Sequence, residues 1–205
     1  MKLTSARAAW HDAYYQPWDS VMSVAAEWAR LGTSVQTTRR SVNAAHAAHQ
    51  ALAGAVQVAI SRLPVQPRAF GHFMYSPLTL NDQREIAEES VFASAVAAVT
   101  AMKQAKYEKA EYVAKGVMYR YQRMNQGGQG GSIDPMSSPE AFRAWIADWY
   151  GISLDSRNWE REWGAFVEAC FNACNDLDRR ALGPVAAAIN ELLDDACIPC
   201  AAEVT

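Results

Sequence analysis

Hydrophobic positions recur at helical spacing along most of this chain. Between Asp19 and Gly32, the residues Val21, Val24, Ala25, Trp28 and Leu31 follow one another at three and four, the interval that gathers apolar groups on one helix face. Stop signals divide the rest. A first helix is predicted over Ser5 to Tyr14, ending before Gln16-Pro17, and a second from near Asp19 to Gly32. A third runs from about Thr33 to Leu63. Pro64 and Pro67 then predict an extended linker, because the residue before a proline is driven out of the helical region. Phe70 to Pro77 is aromatic and short, and reads as a turn or a single helical turn. A long tract follows from Asn81 to about Met124, with Asn81 or Asp82 as its cap and a break expected near Thr100. Ser138-Pro139-Glu140 joins a cap, a first-turn proline and an early carboxylate, and starts a helix that Gly151 stops. Asp155 or Ser156 caps the next, which reaches Leu182. Gly183-Pro184 is expected to end it and begin another, to Ala196.

Alanine makes up nearly a fifth of the chain and is the best helix former. The fold class expected is all-α: a multi-helix bundle with a long central helical tract and a C-terminal Trp-rich helical hairpin. No uninterrupted apolar stretch approaches the ~18 residues of a membrane span, and the N-terminus carries no secretory pattern. All four cysteines follow residue 169, which does not suit a secreted disulfide scaffold, so a cytoplasmic setting is expected.

Charge changes this picture. Residues 1–125 carry a net +5 and residues 126–205 a net −8, hidden within a formal total of −3. The boundary is the glycine-rich stretch from Asn125 to Ser132. Three parts are therefore read: a basic helical part over 1–125, a Gly-rich loop over 126–137, and an acidic helical part over 138–205, which can still form one compact domain. Such polarity presents opposite fields to two partners, or joins the chain's own halves.

Four constellations are candidates for chemistry. Lys106, Lys109, Arg120 and Arg123 fall within a sector of roughly 100° on one helix, a stripe about 26 Å long that could follow a phosphate backbone. Tyr107, Tyr112, Tyr119 and Tyr121 are interleaved with it but point elsewhere. The plain alternative is a solvated face with charges that suit the helix dipole. Trp145 and Trp149 are four apart on one helix, and Trp159 and Trp163 four apart on the next. The short turn lets the pairs face each other around Phe142, Ile146 and Phe166, as core. Within that hairpin Trp145 and Trp163 are expected to be buried. Trp149 and Trp159, nearer the turn and beside Glu160 and Glu162, are the candidates for partner contact.

Cys170 and Cys174 share a helix face, and Cys197 and Cys200 have the spacing of a zinc knuckle. A helix turning back at Gly183-Pro184 could bring the two pairs together as a four-thiolate zinc site. Core thiols are the plainer reading, and no cofactor is expected. His46 and His49 lie one turn apart without the carboxylate of a metalloprotease helix. No nucleophile elbow, phosphate loop or dinucleotide fingerprint is present, and no catalytic residues are assigned.

The stretch Ala144–Trp163, with Leu177–Ala186, resembles small helical proteins of phages and prophages in GC-rich bacteria. The resemblance implies a phage-type regulator or inhibitor acting on a host protein, and it carries over no site residues. The function expected is non-enzymatic regulation through contact with nucleic acid and with a host protein such as the transcription machinery. The alternatives are an inhibitor of a host nucleic-acid-handling or defence protein, acting through the acidic helical half, and a zinc-stabilised module or small metalloenzyme.

Overall fold

A computed structural model describes residues 6–15, 40–99, 102–125, 134, 136–155 and 157–197; within these, side chains 40–48 and 195–197 are not described. Seven α-helices and no strand occur among the described residues: α1 (Ala6–Tyr14), α2 (Arg40–Ser61), α3 (Val65–Tyr75), α4 (Asn81–Ala98), α5 (Gln104–Asn125), α6 (Pro139–Tyr150) and α7 (Ala165–Cys197). The all-α bundle is thus present. The predicted helix over Asp19–Gly32 and the glycine-rich stretch lie outside the described residues.

Two compact units divide the chain. One takes Met1–Leu63, Tyr75–Leu78 and Leu182–Thr205; the other takes Pro64–Met74 and Thr79–Ala181. The second unit therefore includes residues from both sides of the charge boundary.

In the first unit α1 packs on α2. The buried face of α1, Ala9, Trp10 and Ala13, follows the spacing expected of a helix stripe. Val56 and Ile60 of α2 are fully buried. Gln57 Nε2 donates to the Ala13 carbonyl at 2.7 Å, satisfying one of the orphan acceptors at the end of α1.

In the second unit α5 is the central element, and both α4 and α6 pack on it. Its buried residues are Ala110, Val113, Ala114, Gly116, Val117, Met118 and Tyr121. Gly116 permits the closest approach. A Cβ there would lie 2.9 Å from Cζ of Phe142 on α6, which is itself buried. The expected break near Thr100 is present: α4 ends at Ala98, Val99 turns extended, and the Lys103 carbonyl accepts from the Lys106 and Tyr107 amides to start α5. The cap of α4 is Leu80 rather than Asn81 or Asp82, although the Asp82 carboxylate still accepts the Gln83 amide at 2.9 Å. At α6 the Ser138 hydroxyl accepts from the Ala141 amide, and Gly151 closes the helix at φ 67°, a conformation that favours glycine. The Asp155 carboxylate accepts the Arg157 amide ahead of a π-helical turn, Glu160–Gly164, that leads into α7.

Three more sequence expectations are corrected, the first being the single turn expected from Phe70, which is the second half of the helix α3. Pro64 and Pro67 do not make a linker: α3 begins at Val65, and the Pro64 carbonyl accepts from Arg68 at 3.1 Å. Pro67 sits in the first turn, where the N–H it lacks would have had no intrahelical partner. Gly183-Pro184 does not end a helix either, since α7 continues through it to Cys197. Interior proline costs about 3 kcal/mol. Here Gly183 and Pro184 are exposed, so water can serve the carbonyl left without a donor. The stripe of buried residues Cys170, Cys174, Leu177, Ala181, Val185 and Ile189 continues past them unbroken. The chain therefore does not turn back there, the route suggested for bringing the two cysteine pairs together.

Candidate functional site

The basic stripe is largely engaged within the chain. Lys106 Nζ donates to the Glu162 carbonyl, lies 3.8 Å from the Glu162 carboxylate, and sits 4.9 Å from the ring centre of Trp163. Lys109 Nζ donates to the Ser153 carbonyl at 2.9 Å. Arg120 grips Asp134 with Nε at 3.0 and 3.1 Å from the two carboxylate oxygens and Nη2 at 2.5 Å. Lys106 and Lys109 thus bond backbone carbonyls and Arg120 pairs with Asp134 of the 126–137 loop; of the three, only Lys106 also faces a carboxylate of the acidic part among the described residues. Arg123 differs. It is exposed, and among the described residues no carboxylate pairs with it; its guanidinium lies 5.8 Å from the ring centre of Tyr119.

The Arg120 hydrogen bonds hold the Asp134 carboxyl below the usual aspartate range, against burial and with help from the Met136 amide. Its folded pKa being depressed, the stabilisation is present at neutral pH and is lost as pH falls through that value. Asp134→Asn is expected to cost about 1 kcal/mol at pH 7, as for a partly buried charge-assisted pair. The difference from wild type should shrink below about pH 4, where the unfolded carboxyl protonates. Urea melts at stepped pH measure both.

The tryptophans do not face one another across the hairpin. Trp145 stacks on Tyr119 of α5, with ring centres 4.8 Å apart at 17°, and touches Trp149 at 5.9 Å and Tyr150 at 5.7 Å. Tyr150 meets Tyr112 at 5.2 Å. Trp159 lies between Phe142 at 5.7 Å and Trp163 at 6.1 Å, and Trp163 continues to Phe166. The cause is geometric: α6 presents Phe142 and Ile146 to the core, so Trp145 falls on the α5 side. Trp163 is buried, as expected. Trp145 is only half-buried, against expectation. Trp159 is half-buried, and Trp149 is 68% exposed. Glu160 and Glu162 are both exposed; Glu160 folds over Gly164, and Glu162 faces Lys106.

The result is a seam of five aromatic residues along α5 and α6: Tyr112, Tyr119, Trp145, Trp149 and Tyr150. None is fully buried. The tyrosines were missed because their angular positions were judged against the basic stripe. The signal was their mutual spacing: Tyr112 and Tyr119 are seven apart, two turns along one face.

One edge of the seam is fixed by Lys115. Its ammonium bonds Glu111 at 2.6 Å, lies 3.7 Å from Glu88, and sits over the Tyr112 and Tyr150 rings. Burial works against the Lys115 charge, but the Glu111 hydrogen bond and the fields of Glu88 and Glu111 outweigh it and raise its pKa. Burial, with the Glu88 field, raises the Tyr150 hydroxyl as well, so that hydroxyl keeps its proton at neutral pH.

Other candidates are quieter. Cys170 and Cys174 are buried thiols; burial pushes Cys170 up to about 12 and raises Cys174 well above the ordinary thiol range, so neither is a thiolate at neutral pH. The Cys197 side chain, Cys200 and the His46 side chain lie outside the described residues. Among the described residues no cluster of three His, Cys, Asp or Glu could hold a metal ion. No described helix is long and apolar enough to cross a membrane. A groove of about 750 Å³ beside α7 is lined by apolar residues such as Met102, Phe166 and Leu177 and by the charged Lys103, Glu168, Asp176 and Arg180 among others. No family model, curated protein or solved structure matches this chain.

Proposed function

We propose that this chain is a non-enzymatic recognition protein that docks a partner protein through the aromatic seam of α5 and α6, with Trp149 as its anchor. The observation that carries this is the exposure of Trp149, at 68%, at the end of a ladder of aromatic rings held in place by α5. A rigid exposed indole gives a large contact area at little entropic cost, which is why tryptophan dominates interface hot spots. In keeping with the phage-type resemblance, the partner would be a host protein whose activity the docking regulates. Nucleic-acid contact ranks second here, because three of the four cations in the stripe already have intrachain partners.

Trp149→Ala tests the reading. Removing an exposed side chain should change stability by no more than about 0.5 kcal/mol. Iodide quenching of tryptophan fluorescence should lose an accessible fraction in this variant. In a pull-down from bacterial lysate, wild type should retain a partner whether or not nuclease is added, and Trp149→Ala should not. Capture that nuclease abolishes and Trp149→Ala leaves intact would reverse the ranking, and Arg123→Glu would then be the variant to examine.

A further inference from the structure

We infer that the ligand of the aromatic seam is a proline-rich, extended segment of a partner protein, carrying a basic residue that meets Asp148. This inference rests on the reading of the seam as the partner-binding surface. Three observations support it.

The first is hydrogen-bonding capacity. Among the described residues, no hydrogen bond engages the hydroxyls of Tyr112, Tyr119 and Tyr150 or the indole N–H groups of Trp145 and Trp149. The seam thus offers several unused donors beside apolar ring faces. A polyproline II segment is the complementary object: it has no internal hydrogen bonds, its carbonyls are free acceptors, and its proline rings are apolar. A docked α-helix would bring carbonyls already satisfied by its own amides.

The second is spacing. Tyr112 and Tyr119 are separated by two turns of α5, about 10.5 Å along its axis. One turn of polyproline II advances about 9.3 Å in three residues. Prolines one turn apart therefore match the interval between the two half-buried tyrosines, each braced by a ring of α6, Tyr112 by Tyr150 and Tyr119 by Trp145.

The third is charge. Lys115 is held by Glu88 and Glu111, and Arg143 lies 3.6 Å from Glu140. Arg123 is left as the cation of the seam with no carboxylate partner among the described residues, too little positive charge to hold a phosphate backbone. At the other end Asp148, exposed beside Trp149, has no ion-pair partner among the described residues. A lysine or arginine in the ligand would pair there, and Arg123 would repel it from the opposite end, which sets the ligand's direction.

The test uses the full-length chain and a synthetic peptide of two arginines followed by ten prolines, read by intrinsic fluorescence and amide NMR shifts. Expected are saturable binding and shifts concentrated on α5 and α6. Affinity should fall at least tenfold in both Trp149→Ala and Tyr119→Ala, whose circular dichroism matches wild type, and severalfold in Asp148→Lys. A two-arginine peptide with ten alternating glycine and serine residues should not bind. Equal binding of that control, stronger binding of a twelve-residue oligothymidylate, or no saturable response at millimolar peptide would each overturn the inference. If the proline peptide is silent while Trp149→Ala still abolishes nuclease-resistant capture from lysate, the ligand class is wrong and the seam remains the docking surface. If capture is also unaffected, both fail.

Discussion

Truncating Trp163 to alanine is expected to lower the free energy of unfolding by about 3–5 kcal/mol, the range for a core aromatic. The residue is buried, its ring meets Trp159 and Phe166, and its face carries the Lys106 ammonium. Removal opens a cavity and takes away the ring face that accompanies a buried part of the lysine stem. Urea denaturation of the full chain measures the cost. Trp149→Ala is the internal control, since both substitutions delete the same atoms and differ only in what surrounds them. Equal losses at the two positions would mean that Trp163 is not core.

Replacing Gly116 with valine should have the next largest effect, about 1–3 kcal/mol of overpacking. A single Cβ at this position already meets Phe142 Cζ at 2.9 Å and Cε2 at 3.2 Å, with Ile146 Cδ1 at 3.4 Å. The added methyls must push α6 away from α5. Glycine in a helix interior carries a cost of its own, about 1 kcal/mol relative to alanine, so its presence marks a contact that outweighs propensity. Phe142→Leu in the valine background should return part of the loss. Additive costs in that double-mutant cycle would show that the two residues do not collide. Because the same displacement would separate Tyr119 from Trp145, Gly116→Val should also weaken whatever binds the seam.

Local signals were the legible ones. Ser138-Pro139 and Gly151 marked α6 because a cap, a first-turn proline and a left-handed glycine each have one dominant use. The all-helical class followed from alanine content and periodicity. Pro67 and Pro184 misled because a proline ends a helix only when the missing hydrogen bond cannot be tolerated. Pro67 sits where no bond was due, and at Pro184 a buried stripe runs past an exposed site. In the candidate site, Trp149 and Trp163 could be sorted by their distance from the turn. The destinations of Lys106, Lys109 and Arg120 could not, because a partner 14 to 56 residues away leaves no periodic trace. Tyr119 did leave a trace, its seven-residue interval from Tyr112, but its stacking partner Trp145 depends on which helix α6 takes as a neighbour.

The π-helical turn at Glu160–Gly164 has a consequence for how α7 tolerates length changes. Each residue of a regular helix turns the chain by about 100°. The π-turn holds one residue more than an α-turn in a single wide loop of backbone, so it acts as a phase adjuster between Trp159 and the buried stripe that starts at Phe166. Deleting one exposed residue there, Arg161, would let the wide turn relax to an ordinary α-turn and leave the upstream chain nearly in phase with the buried stripe. Trp159 would keep Phe142 and the Ser153 carbonyl would keep Lys109, whereas the same deletion within regular α7 would swing its two sides apart by about a quarter of a revolution. At this point of the chain, one residue of length can be taken up without changing an angle.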